Sequence, residues 1–132
     1  MAKLSVKDAA EIIEPCAQIA LDTHASVKGI VVVTVDGHMI FSKMKDGRPA
    51  KRLASMSSSL MSLGDTVTDE LAMGKCKTVI VENECGYVVF RHINQVFVLA
   101  AVSSSLTGVG LLLGASKLCA RNIAEAFEAL AA

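Results

Sequence analysis

Tryptophan is absent from this chain of 132 residues, aromatic residues make up only 4% of it, and proline occurs twice. Hydrophobic residues nevertheless amount to 52% of the sequence. A core must therefore be built from valine, leucine, isoleucine, alanine and methionine. A chain of this length is typical of one domain that buries a substantial core.

Neither sign of charge is in excess, since 13 Lys and Arg residues balance 13 Asp and Glu residues. A basic surface for nucleic acid or for an anionic membrane is therefore not expected. The longest apolar runs, such as residues 108–115, are too short to span a bilayer, and the charged residues near the N-terminus argue against a secretory signal. We expect a cytoplasmic protein that neither binds nucleic acid nor inserts into a membrane.

The spacing of metal ligands is also missing from the sequence. The four cysteines form no CxxC pair, and the three histidines are not spaced near them as ligands would be. The cysteines are Cys16, Cys76, Cys85 and Cys119. Reduced, mostly buried thiols are expected, although Cys76 and Cys85 flank one predicted strand and can approach each other.

No constellation of catalytic groups is recognisable. Residues 108–114 have the spacing GxGxxxG, which differs from the dinucleotide-binding GxGxxG. We assign these glycines to the turn between strand and helix and to close approach of the helix to the sheet. The serines at 103–105 lack a GxSxG elbow and a partner base, so we expect them to cap a helix. We predict no catalytic residue, no cofactor, no metal and no enzymatic activity of the chain's own.

The order of the predicted elements defines the fold class. Ser5 and Asp8 resemble a capping box that begins a helix, which either kinks at Pro15 or is followed there by a new helix.

Strands are predicted at 28–35, 38–43, 77–82, 87–93 and 96–102, with helices at 49–73 and after 105. Short turns, of which Asp36-Gly37 is the strongest hairpin signal, require antiparallel pairing. Because the first and fifth strands are apolar on both sides, both faces of the sheet need cover. We predict an α/β (α+β) fold, a three-layer α/β/α sandwich around a five-stranded antiparallel sheet in the order α-β-β-α-β-β-β-α.

The helix predicted at 49–73 carries two usable faces. Large apolar residues form one stripe at three- and four-residue steps: Leu53, Met56, Leu60, Leu63, Val67 and Leu71. Mostly small residues form the neighbouring stripe: Ala54, Ser57, Met61, Gly64, Thr68 and Ala72. We expect the large stripe to face the core and the small stripe to admit a second backbone, because glycine and serine are unfavourable inside a helix without such a reason.

Two further features indicate an interaction protein. The strand at 77–82 has an uncharged Val-Ile-Val centre, so at a sheet edge it favours pairing with a copy of itself in a twofold dimer. A small basic cluster begins the middle helix: Arg48, Lys51 and Arg52. It is either a contact for an acidic or phosphate-bearing partner or solvated surface.

Several segments resemble the roadblock family, the Roadblock/dynein-light-chain domain. They are residues 29–37 (GIVVVTVDG), 53–64 (LASMSSSLMSLG), 78–82 (TVIVE), 86–93 (GYVVFRHI), 96–102 (VFVLAAV) and 106–112 (LTGVGLL). The resemblance implies the strand order 2-1-5-4-3, which places the third strand at an edge. It also implies dimers through the third strands and middle helices, which present a platform to a Ras-like small GTPase, in some members stimulating hydrolysis without inserting an arginine. It covers residues from about 15, so residues 1–14 are expected to form an N-terminal helical extension and 15–132 the domain.

These inferences lead to one preferred function. We expect a homodimeric regulator or scaffold that binds a Ras-like small GTPase and modulates its GTP hydrolysis. The expected dimer interface comprises Ala54, Ser57, Met61, Gly64, Thr68, Thr78, Ile80 and Glu82, and the candidate partner contacts are Arg48, Lys51 and Arg52. The alternatives are a structural scaffold subunit with no effect on hydrolysis and a profilin-like or sensor-type module that binds a small ligand.

Overall fold

The computed structural model describes residues 4–104 and 108–131. Its elements are α1 (Val6–Thr23), β1 (Val27–Thr34), β2 (Met39–Met44), α2 (Lys51–Glu70), β3 (Thr78–Asn83), β4 (Gly86–His92), β5 (Phe97–Ser104) and α3 (Val109–Ala131). The predicted order of helices and strands is confirmed, with small shifts at the ends of the elements. The cap expected from Ser105 lies outside the described residues.

Helix α1 begins where the capping pattern predicts. The Ser5 hydroxyl accepts a hydrogen bond of 3.1 Å from the backbone N–H of Asp8, which satisfies one of the free donors of the first turn. The helix continues through Pro15 rather than ending there. The predicted boundary between residues 14 and 15 therefore falls inside α1, and Ala9 and Ile13 before it are buried.

The sheet has the order β2-β1-β5-β4-β3, with every neighbouring pair antiparallel. This confirms the order that the resemblance implied. Strands β2 and β3 are the two edges, and they differ in character. Lys43 lies exposed on β2, whereas the centre of β3 is Val79, Ile80 and Val81. An edge lysine opposes pairing with another chain, and an uncharged edge permits it.

Helices cover both faces of the sheet, as the apolar strands require. Helices α1 and α3 pack on one face around a core of Ile13, Ala17, Leu21, Ile30, Val32, Val89, Leu99, Leu112 and Ile123. Helix α2 packs alone on the other face over Val31, Val33, Phe90, Val98 and Ala100. The predicted three-layer α/β/α sandwich is confirmed.

The glycines that open α3 do not have the packing role predicted for them. A Cβ placed on Gly108, Gly110 or Gly114 would meet no atom within 4 Å, apart from near neighbours in the helix. Close approach of α3 to the sheet therefore does not depend on them, and the prediction that assigned them to close packing is wrong. The buried residues of α3 lie at other positions: Leu112, Ser116, Cys119, Ala120 and Ile123.

Candidate interaction surface

Helix α2 packs on the sheet mainly through the small-residue stripe, which neighbours the one predicted to face the core. Ala54, Ser57 and Met61 of the small-residue stripe are 4%, 0% and 1% exposed. The large apolar stripe is mostly outside: Met56, Leu63, Val67 and Leu71 are 52%, 61%, 51% and 61% exposed. The prediction that the large stripe faces the core is wrong for these four residues, whereas Leu53 and Leu60 are half-buried against the core beneath α2. The side chains of Ala54, Ser57 and Met61 do not lie on a surface open to a second chain.

The physical reason is the close approach of α2 to the sheet. A Cβ on Gly64 would lie 2.8 Å from Cys76 Sγ and 3.0 Å from Val79 Cγ2, so only glycine fits there without a shift of its neighbours. The Ser57 hydroxyl is satisfied inside the helix, since it donates a 2.6 Å hydrogen bond to the Leu53 carbonyl. Small residues thus serve the contact with the chain's own sheet, which leaves the bulky stripe outside.

Polar contacts fix the orientation of α2 at both ends of this contact. The Ser58 hydroxyl donates to the carbonyl of Val35 at 2.7 Å, next to the β1–β2 turn. Farther along, Asp65 Oδ2 lies 3.2 Å from His92 Nε2 at the end of β4. The exposed stripe is therefore held facing away from the sheet.

Strand β3 borders the same side of the molecule, because Gly64 of α2 packs directly against Val79 of β3. Ile80 and Val81 are 45% and 39% exposed, and the only strand paired with β3 in the described residues is β4. We call the exposed large apolar side chains of the two elements the α2–β3 surface: Met56, Leu63, Val67, Leu71, Ile80 and Val81. Val81 lies on the α2 side of the sheet, and Ile80 lies on the other side at the same edge. A concentration of apolar side chains of this kind is typical of a contact with another protein.

The remaining residues of the expected interface lie at or beside this surface. Gly64 and Thr68 are half-buried on α2, and the Thr68 hydroxyl donates to the Asp65 carbonyl at 3.1 Å. Thr78 is half-buried on β3, whereas Ile80 and Glu82 are exposed there. The role of these five residues in an interface stays a prediction. On α2, the exposed residues of the large stripe replace the buried Ala54, Ser57 and Met61 as candidates for that interface.

The basic cluster is only partly available to a partner. Arg48 Nη2 lies 2.7 Å from Asp46 Oδ2, and the backbone N–H of Arg48 donates to the same carboxylate. That backbone hydrogen bond is the main cause that lowers the pKa of Asp46. Lys51 and Arg52 are exposed at the beginning of α2 and have no carboxylate within 4 Å among residues 4–104 and 108–131. Of the three candidates, these two keep a free charge.

Arg91 is a notable residue that was not selected from the sequence. It is half-buried in β4, and its Nη2 donates to the Thr78 hydroxyl at 3.2 Å. The alternation of the strand could have identified it, because residues 87, 89 and 91 point to the same face of the sheet and Tyr87 and Val89 pack in the core on that face. An arginine at such a position has to find a partner or remain poorly solvated.

A cleft of about 530 Å³ opens at the end of the sheet away from Gly64 of α2. Its lining includes Lys28, Lys45 and Arg48 on one side and Tyr87 and Ser104 on the other. Lys45 is held by a 3.3 Å hydrogen bond to the His24 carbonyl. The volume lies in the range of small-molecule sites, and the lining combines the apolar side chains of Met44, Val88 and Val102 with these charged groups.

The four cysteines are free thiols in the structure. Burial, with the nearby Cys16 as a second cause, raises the pKa of Cys119 to about 12. Burial also raises the pKa of Cys16. Thiols that resist ionisation are poor nucleophiles and poor metal ligands. Within the described ranges, no three histidine, cysteine or acidic side chains converge on a point that could hold a metal ion.

The family model of the Roadblock/LC7 domain matches residues 18–103, which is more than half of the chain. The chain belongs to the Roadblock/LC7 domain family. The matched segment contains all of α2 and β3 and hence the whole α2–β3 surface. Among curated proteins, none matches the sequence. None of the helices in the described part of this roadblock protein is long and apolar enough to cross a bilayer.

Solved roadblock structures share the fold at low sequence identity. MglB of Myxococcus xanthus is 15% identical with a TM-score of 0.77, and the match covers 98% of this chain and 95% of that one. An MglB described as having a tetrameric arrangement is 14% identical with a TM-score of 0.80, covering 91% and 90%. A Roadblock/LC7 domain of Streptomyces avermitilis is 16% identical with a TM-score of 0.72, covering 86% and 92%.

Proposed function

We propose that this roadblock protein is a cytoplasmic homodimer that binds a Ras-like small GTPase as a regulator or scaffold, without a catalytic centre of its own. The observation that carries the proposal is the α2–β3 surface on a roadblock domain. Residues 15–132 form the domain in this proposal, and residues 1–14 extend it at the N-terminus.

The proposed dimer joins α2 to α2 and β3 to β3 around one twofold axis. Positions 56, 60, 63 and 67 follow alternating steps of four and three residues, the spacing with which two helices pack side by side, although Leu60 is half-buried against the chain's own core. Burial of such residues is favourable by about 25 cal/mol for each Å² of apolar surface. The tetrameric arrangement described for one MglB is in keeping with self-association of this fold.

The dimer would bring two copies of Lys51 and Arg52 to one assembly. These exposed cations, at the beginning of α2, are the contacts we propose for the GTPase, and Arg48 contributes less because Asp46 already pairs with it. Free cations of this kind favour the approach of an acidic partner surface and raise the association rate more than the affinity. We assign no arginine to the chemistry of hydrolysis.

Sedimentation velocity tests the dimer. We expect the wild-type chain to sediment as a dimer at tens of micromolar (roughly, on the affinity scale of protein association), and Leu63→Asp to sediment as a monomer because it places a charge in the apolar contact. Leu118→Asp is the matched control, since Leu118 is a 50% exposed leucine on α3. A monomeric wild type, or equal loss of dimer in both variants, would contradict the proposal.

Affinity capture from lysate of the source organism tests the partner. The bait is the purified chain, with a non-hydrolysable GTP analogue or GDP added to separate samples, and the expected result is a small GTPase retained in one nucleotide state more than in the other. Reversing the charges of Lys51 and Arg52 to Glu should reduce the retained amount. Retention of no GTPase in either state would count against the proposal. Phosphate release by the captured GTPase, with and without this protein, then separates a regulator from a scaffold.

A further inference from the structure

Arg91 carries a charge for which the described part of the chain supplies no carboxylate. Its guanidinium donates to the Thr78 hydroxyl at 3.2 Å, while Nε is buried and has no acceptor. No carboxylate oxygen lies within 4 Å of its guanidinium nitrogens in residues 4–104 and 108–131. Burial lowers the pKa of Arg91, because part of its guanidinium is removed from water. A carboxylate supplied from outside the chain would stabilise it.

The hydrogen bonds of β4 reveal which groups of β3 are free. Ile93 donates its N–H to the Phe97 carbonyl, so odd-numbered residues of β4 direct their backbone groups toward β5 and even-numbered ones toward β3. In the register of β3 with β4, Val88 lies opposite Val81 and Phe90 opposite Val79. The outward backbone groups at the free edge are therefore those of Thr78, Ile80 and Glu82.

A second copy can pair with this edge in few registers. A twofold axis normal to the sheet makes the two β3 strands antiparallel and keeps each side chain on its own face of the sheet. Opposite residues must then be both even-numbered or both odd-numbered, so one residue lies opposite its own copy on the axis. With Ile80 opposite Ile80, all three outward residues find partners, and Thr78 of one chain lies opposite Glu82 of the second copy. A shift to Val81 places the apolar Ile80 opposite Glu82 and leaves Thr78 unpaired.

We infer that Arg91 forms an ion pair with Glu82 of a second copy across the β3 edges, and that this pair selects the register centred on Ile80. The inference rests on the proposed dimer and specifies its geometry. Arg91 and Glu82 of the second copy flank the same Thr78, and two strand spacings separate their Cα atoms by about 9.5 Å. The guanidinium already extends over Thr78 toward the free edge. The twofold axis creates the pair twice.

Charge exchange at these two positions tests the pair. Glu82→Arg and Arg91→Glu should each raise the dimer dissociation constant by roughly thirtyfold or more, since each leaves a like-charged pair at the interface. The double variant restores opposite charges and should return to within a few-fold of the wild type. Glu84→Arg is the matched control, because Glu84 is exposed in the β3–β4 turn outside the strand. Circular dichroism of each variant shows whether it folds. If a charge-reversal variant does not fold, Glu82→Gln and Arg91→Gln are milder changes that remove the same charges.

Cysteine crosslinking tests the register separately. In a Cys85→Ser background, Ile80→Cys should form a disulfide between copies on mild oxidation, whereas Val81→Cys should not, because Val81 then lies opposite Val79. A dimer in which Glu82→Arg behaves like Glu84→Arg, or in which the double variant binds no better than the single ones, would overturn the ion pair and leave the dimer standing. A wild-type chain that remains monomeric would overturn both.

Discussion

The observed orientation of α2 can be tested by comparing two of its side chains that are only two residues apart. Met61 is 1% exposed on the sheet side of the helix, and Leu63 is 61% exposed on the outer side. Both are large, apolar and unbranched at Cβ, so truncation to alanine removes similar groups. We expect Met61→Ala to destabilise the folded chain strongly and Leu63→Ala to leave the isolated chain almost unchanged.

The magnitudes follow from burial. Truncating a buried methionine to alanine costs about 2–5 kcal/mol, through lost transfer free energy and the cavity that remains. A surface truncation usually changes the free energy of unfolding by no more than about 0.5 kcal/mol. With a urea slope of roughly 2 kcal/mol/M, the midpoint of Met61→Ala should fall by about 1 M or more, and that of Leu63→Ala by roughly a quarter of that.

Urea unfolding at several protein concentrations is the assay. Dimerisation makes the wild-type midpoint rise with concentration. Met61→Ala should lower the midpoint equally at every concentration, whereas Leu63→Ala should reduce the dependence on concentration and converge with the wild type at high dilution. Equal losses for the two variants at high dilution, or a neutral Met61→Ala, would refute the assigned orientation of α2.

Two other predictions follow from close contacts and from burial. Gly64→Ala should destabilise the fold by up to about 2 kcal/mol, because the cost of overpacking against Cys76 and Val79 exceeds the gain in helix propensity. Thermal unfolding should show that adding Cys76→Ala recovers part of this loss. The pKa of Cys119 is about 12 in the folded state and about 8.5 in the unfolded chain. Between these two pH values the unfolded chain loses this proton and the folded chain keeps it, so the free energy of unfolding should fall as pH rises from about 8.5 toward 12. In the native protein at pH 8, iodoacetamide should label the exposed Cys85 far faster than Cys119, and equal rates would contradict that assignment.

The local signals in the sequence were sufficient for most of the fold. Ser5 caps α1 through the predicted contact with Asp8, and Gly37 occupies the positive φ of 94° that the Asp36-Gly37 turn predicted. Runs of β-branched and alternating apolar residues between turn signals located the strands, because helices repeat their apolar positions at a different spacing. The order of strands came from the family resemblance, since antiparallel turns alone allow more than one arrangement.

The orientation of α2 could not be obtained in the same way. Both of its stripes repeat at helical spacing, and hydrophobicity alone favoured the bulkier one for the core. The decisive fact is three-dimensional: Gly64 lies against Cys76 and Val79, which are distant in the sequence pattern and meet it only in the fold. Ser57 adds to the difficulty, because a buried hydroxyl satisfied by the Leu53 carbonyl has the same sequence signature as an exposed one.

The contrast between the two edges of the sheet limits how far an assembly of this protein can grow. In the proposed dimer the β3 edges, which are uncharged at their Val-Ile-Val centres, pair with each other, and the outer boundaries of the doubled sheet are the two β2 strands, each with an exposed Lys43. Two lysine-bearing edges that approach each other repel, so further addition of strands is disfavoured. A twofold contact through β3, with β2 edges that do not pair, closes the assembly at two chains. Two edges that could both pair would instead allow an open-ended fibre.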